Sequence, residues 1–96
     1  MAVRVDPEHN EPAALAQIGA AFDNACVLEI GCGDGRVTKA FADRARSVVA
    51  IEPGQTASAD FLRGTWPAHV EFQPVGIDAF EPGGRRFDVV LFSWSL

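Results

Sequence analysis

Apolar residues along this chain come in short runs separated by polar and glycine-rich stretches. Cys26 to Ile30, Cys-Val-Leu-Glu-Ile, is apolar except for Glu29 and reads as a buried parallel strand. Residues 47–52 are β-branched and apolar, close on an acid, and are broken by Pro53-Gly54. Val70 and Phe72 alternate with His69, Glu71 and Gln73, the pattern of a half-buried strand at an edge. Residues 87–92, Phe-Asp-Val-Val-Leu-Phe, are the most apolar run. Between these runs the period lengthens to that of a helix. Leu15, Ile18, Gly19 and Phe22 make a stripe behind Asn10 as cap and Pro12 in the first turn, and Asp23-Asn24 ends it. Val37, Ala40, Phe41 and Arg44 fall at i, i+3, i+4 and i+7, with the Arg44 stem closing the apolar side and Asp34 as N-cap. Residues 56–63 predict a short helix with Phe61 and Leu62 inward and Gly64 as its stop. Residues 74–84 read as loop, with an apolar knot at Ile77, Ala79 and Phe80.

Strands alternating with helices predict an α/β fold: a parallel sheet with right-handed crossovers and flanking helices. In such sheets ligands bind beyond the carboxyl ends of the strands. Two features fall there. Gly31, Gly33 and Gly35 alternate between the first of these strands and its helix, an arrangement that brings bare backbone close to a ligand. Glu52 ends the next strand, about 20 positions after Gly31, where an acid accepts hydrogen bonds from both hydroxyls of a ribose. The two should share one crevice.

Composition narrows the class. Ninety-six residues, 48% of them hydrophobic, make one small globular domain, with residues 1–9 as a polar lead-in and residues 10–96 as the domain. A net charge of −5 argues against a nucleic-acid or anionic-membrane binder, which needs a basic face. No apolar run reaches membrane-spanning length, and the first residues lack an apolar core of signal-peptide length, so the expected location is cytoplasmic. Cys26 and Cys32 have neither redox nor zinc spacing and read as reduced thiols, Cys32 within the glycine turn. His9 and His69 have no partner pattern around them.

The glycine spacing is Gly-x-Gly-x-Gly, not the dinucleotide Gly-x-Gly-x-x-Gly, and Arg36 stands where the third dinucleotide glycine packs the helix against the strand. Glu29 adds a negative charge, a poor neighbour for a pyrophosphate and a good one for a cationic ligand. Both features weigh against a nicotinamide-dependent oxidoreductase, which remains an alternative. Glu29 to Gly35, Glu-Ile-Gly-Cys-Gly-Asp-Gly, resembles motif I of the class I S-adenosylmethionine-dependent methyltransferases. Residues 48–52 resemble that family's second strand with its acid. Ile77-Asp78-Ala79 resembles the adenine-contacting stretch, and residues 87–92 resemble the fourth strand. The resemblance covers nearly all of residues 10–96. It implies a Rossmann-like sheet of about four strands in the order 3-2-1-4, part of a sheet that has seven strands in the family. It further implies S-adenosylmethionine as cofactor and S-adenosylhomocysteine as product. Gly31, Gly33 and Gly35, with Cys32 among them, then meet the methionine and ribose parts, and Glu29 the methionine amino end. Glu52 takes the ribose hydroxyls, Asp78 the adenine amine and the Ala79 N–H the adenine ring. Ser93 and Trp94 line the methyl side.

Four strands instead of seven make the fourth an edge, and an apolar edge invites pairing. The expectation is therefore the N-terminal portion of a longer methyltransferase, a shortened reading frame, or a homodimer joined through that strand. No paired carboxylates, serine–histidine set or metal cluster appears, so no catalytic residue is assigned and the 96-residue segment alone is expected to be inactive. The leading expectation is methyl transfer to a small-molecule acceptor; the other alternative is a non-catalytic module that keeps the fold for cofactor binding or dimerisation.

Overall fold

The computed structural model describes residues 2–5 and 20–93. Five strands form one all-parallel sheet: β1 (Ala2–Val5), β2 (Cys26–Ile30), β3 (Ser47–Ile51), β4 (Val70–Gln73) and β5 (Val89–Ser93), in the spatial order β1-β5-β2-β3-β4. Two helices cross over: α1 (Arg36–Phe41) between β2 and β3, and α2 (Gln55–Leu62) between β3 and β4. The four strands expected from the sequence are β2, β3, β4 and β5, and they stand in the expected 3-2-1-4 order, with β4 at the edge.

The addition is β1. Four residues of the polar lead-in pair with β5 in parallel, Ala2 opposite Val90 and Val5 opposite Ser93. On its other side β5 pairs with β2. The expected open edge at the fourth strand is thus corrected, and with it the reason for a dimer through that strand. Of the helix expected from Asn10, only a 3-10 turn at Ala20–Phe22 lies within the described residues.

Period-two alternation sorts the strand side chains onto two faces. Val27, Val48, Ala50, Val89 and Leu91 pack with Val37 and Phe41 of α1 and Phe61 of α2. Leu28, Val49 and Ile51 face the other way, against Val75, Phe80 and Phe87 of the loop before β5. Both faces being covered explains why the strands are nearly continuous apolar runs.

Three side-chain expectations are corrected. The buried face of α1 is Val37, Thr38 and Phe41, continued by Ala42 and Ala45, whereas Ala40 is exposed. Arg44 lies on the surface, its guanidinium paired with Asp23 at 2.6 and 3.0 Å. On α2 Phe61 is buried but Leu62 is 64% exposed, because successive helix residues point about 100° apart and only one can face the sheet. In the loop, Phe80 packs inward while Ile77 is 53% exposed and Ala79 lies on the surface.

Candidate functional site: a glycine turn facing an acid

The turn after β2 is tied down by its own backbone. Gly31 and Cys32 both donate their N–H groups to the Ile51 carbonyl, at 2.9 and 3.1 Å, which holds the turn to the end of β3. Gly31, Gly33 and Gly35 have φ of 75°, 58° and 90°. The cap position of α1 is Gly35; Asp34, one residue earlier, accepts the Arg36 N–H at 3.0 Å.

The three glycines differ in what they meet. Gly31 and Gly33 line a hollow, whereas Gly35 is not among its lining residues. A Cβ on Gly35 would lie 2.5 Å from two atoms of the Trp66 ring and 3.0 Å from Phe61. Trp66 stacks on Phe61 at a centroid distance of 4.2 Å, and Phe61 on Phe72 at 4.6 Å. The Trp66 indole N–H donates to the Phe61 carbonyl at 2.8 Å, which fixes the ring beneath the turn. Gly35 therefore owes its lack of a side chain to aromatic packing and a left-handed φ.

The hollow, about 470 Å³, opens at the carboxyl ends of β2, β3 and β4, where open α/β sheets bind ligands. Its size is that of a small-molecule site. Glu52 lines the hollow beside Gly33. Its Oε1 accepts the Gly33 N–H at 2.8 Å and its Oε2 accepts the Gly54 N–H at 2.9 Å. One carboxylate thus joins the loops after β2 and β3. An ionised carboxylate offers about four acceptor sites, so roughly two remain for a ligand. Asp78 stands on the third loop, and Ala57, Val75 and Ile77 make the apolar wall. Ala79 is exposed and does not line the hollow; its N–H donates to the Gly76 carbonyl at 3.1 Å.

Glu29, expected to meet the methionine amino end, lies behind the turn and outside the lining of the hollow. It is fully buried, on the same sheet face as Val27, pointing toward α1. The Thr38 hydroxyl donates to its Oε1, and the Ser93 hydroxyl donates to its Oε2 at 2.5 Å. Burial raises its pKa to about 7, against the opposing pull of the Ser93 and Thr38 hydroxyls. Ser93 is likewise buried, in contact with this acid instead of the hollow. Cys32 is buried too, and burial, reinforced by the charges of Glu29 and Glu52, pushes its thiol well up, so it is no thiolate nucleophile.

The structure therefore brings together Gly31, Gly33, Glu52 and Asp78 around one hollow and sets Glu29, Ser93 and Cys32 beneath it. Thr38 is the residue that sequence reasoning missed. It falls between apolar Val37 and charged Lys39, and only its distance from an acid inside a strand could have signalled it. Trp94 and His9 lie outside the described residues. His69 Nε2 is 2.6 Å from the Ala42 carbonyl, and Asp88 accepts the Cys26 N–H at 2.8 Å; both belong to the opposite end of the sheet. Among the described residues no three His, Cys, Asp or Glu side chains cluster as metal ligands. No helix of the described residues is long and apolar enough to cross a membrane.

The fold has many relatives among solved structures. A protein of Listeria monocytogenes assigned provisionally as an S-adenosylmethionine-dependent methyltransferase superposes with a TM-score of 0.69 at 23% identity, over 83% of this chain and 38% of its own. The plantazolicin methyltransferase BpumL, solved with SAH, gives 0.68 at 17% identity, over 88% of this chain and 37% of its own. A dimethyladenosine transferase of Plasmodium falciparum gives 0.66 at 23% identity, over 86% and 32%. The chain thus spans roughly a third of the length of these proteins, between 32% and 38%. No curated protein sequence matches it. The family profile described as a methyltransferase domain matches residues 27–96, from the first buried residue of β2 through the glycine turn and Glu52 to the end of the sequence. With that match running over most of its length, the chain belongs to the methyltransferase-domain family.

Proposed function

We propose that this chain binds S-adenosylmethionine in the hollow lined by the glycine turn and Glu52 and serves transfer of its methyl group to a small-molecule acceptor. The observation that carries the reading is Glu52, which holds both loops by its two oxygens and keeps acceptor capacity facing the hollow. When bound, S-adenosylmethionine supplies an electrophilic methyl group for in-line displacement and leaves as S-adenosylhomocysteine. The residues fit that ligand. Glu52 accepts from the ribose hydroxyls, and Gly31 and Gly33 offer backbone without side chains in the way. Asp78 accepts from the adenine amine, with Ile77, Val75 and Ala57 as the apolar wall beside the base.

For the acceptor, the support is charge. A net charge of −5 repels a polyanion, whose binding relies on lysines and arginines that neutralise phosphates. The relatives themselves range from a plantazolicin methyltransferase to a dimethyladenosine transferase, so the fold alone selects no acceptor.

Calorimetric titration with S-adenosylhomocysteine tests the cofactor reading. The expected result is one site per chain, with Glu52→Ala weakening it at least about tenfold, since hydrogen bonds to a charged acceptor are worth about 1.5–3 kcal/mol each. NAD should not displace it. Absence of binding to the folded wild-type chain, or NAD binding more tightly, would overturn the reading.

A further inference from the structure

Three elements meet behind the glycine turn at one buried carboxyl group. Glu29 lies in β2, two residues before Gly31, and fixes where the chain enters the turn. Thr38 lies in α1, three residues after Gly35, and fixes where the chain leaves it. Ser93 ends β5 and anchors the carboxyl to a second strand. Each Glu29 oxygen holds one hydroxyl, and the residue is sealed from solvent. A ligand in the hollow meets Gly31 and Gly33 with Glu29 outside the lining.

We propose that Thr38, acting with Ser93 through the buried Glu29 carboxyl, is a positioning residue for the cofactor turn: the Thr38–Glu29 hydrogen bond clamps the two ends of the glycine segment in the binding geometry. The inference rests on the cofactor reading above, and it gives Glu29 a different role from contact with the methionine amino group. A segment with three glycines is costly to order, because glycine loses the most backbone freedom on folding. Its backbone must nevertheless present two ligand-facing positions in a fixed shape. Without the clamp, binding would have to order the turn as well as fill the hollow, and affinity would fall accordingly.

The experiment compares the wild-type chain with Thr38→Val, which keeps the shape and removes the hydroxyl, with Thr38→Ser, which restores it, and with Glu29→Gln. Two readouts are taken. The first is amide hydrogen exchange at Gly33 and Gly35, whose N–H groups are held by Glu52 Oε1 and the Cys32 carbonyl. The second is the dissociation constant for S-adenosylhomocysteine and for 5′-methylthioadenosine, which lacks the amino-acid end. In Thr38→Val the two glycine amides should exchange about tenfold faster relative to the slowest amides of β3, and both ligands should bind about tenfold more weakly. Thr38→Ser should restore both, and Glu29→Gln, whose amide keeps one of the two acceptor oxygens, should weaken both ligands to the same degree. A role in overall stability alone would speed the turn and β3 equally, which overturns the proposal. Loss of S-adenosylhomocysteine but not methylthioadenosine in Glu29→Gln would also overturn it, by making Glu29 a ligand of the ammonium group. If the wild type binds neither ligand, the cofactor reading falls, and the exchange ratio alone decides whether the clamp exists.

Discussion

A carboxyl group sealed inside a protein gives up its hydration, and that loss is recorded in its proton affinity. Glu29 has its pKa raised from 4.5 to about 7, first by burial, with the Ser93 and Thr38 hydroxyls pulling the other way. The folded state therefore holds this proton more tightly than the unfolded chain does. Its contribution to stability is full below the unfolded value of 4.5 and is lost as pH rises through about 7. A shift of this size corresponds to about 3 kcal/mol. Urea unfolding at a series of pH values should thus show the wild type losing stability relative to Glu29→Gln between about pH 4.5 and 7; a constant difference would contradict the burial argument. The acid was visible in the sequence, but it was read there as a ligand contact and not as a buried group, although the pattern held the clue. Period-two alternation puts it on the face of Val27, and in a sheet covered on both sides that face is inside. Thr38 was harder to read, because a hydroxyl on a helix counts as polar surface until a buried partner is known.

At the scale of elements, the strands were read from the sequence more faithfully than the helices. A buried strand needs only a short apolar run, and β2, β3 and β5 each supply one. Helix faces depend on where the neighbouring sheet lies, which no local pattern contains. The stripe expected on α1 is rotated, so that Thr38 and Ala42 are buried in place of Ala40 and Arg44, and on α2 the choice fell on Phe61 and against Leu62. The glycine turn shows the same limit. Three alternating glycines look equivalent in a sequence, yet two line the hollow and the third is pressed onto Trp66, which lies on the loop after α2. Gly35→Ala should therefore cost about 2–4 kcal/mol, the sum of a left-handed φ and a clash with the indole. In a Trp66→Ala background the cost should shrink to the backbone part alone, about 1–2 kcal/mol. Unfolding free energies of the four chains measure this coupling; equal costs in both backgrounds would show that the ring is not what excludes a side chain at position 35.

For the whole molecule, the strand order and the position of the hollow follow from chain direction. Parallel strands joined by right-handed crossovers place the ends of β2, β3 and β4 side by side, so the glycine turn, Glu52 and Asp78 converge although they are far apart in sequence. For the glycine turn and Glu52 that convergence was legible before any coordinates, whereas Asp78 was placed there only by the family resemblance. The pairing of β1 with β5 was not legible, because four residues, Ala-Val-Arg-Val, are too short a run to mark a strand, and their partner lies at the far end of the sequence. The opposite end of the sheet carries a second groove, lined by residues including Cys26, Ser47, His69 and Arg86, of nearly equal size at about 460 Å³. The central claim, that the ligand sits between the glycine turn and Glu52, is therefore a choice between two ends of one sheet. An amide-resolved nuclear magnetic resonance titration of the chain with S-adenosylhomocysteine makes that choice directly. The largest shifts are expected at Gly31, Gly33, Glu52 and Asp78, with Cys26, Ser47 and His69 unmoved. Shifts concentrated at Cys26, Ser47 and His69, or none at saturating ligand, would contradict that claim.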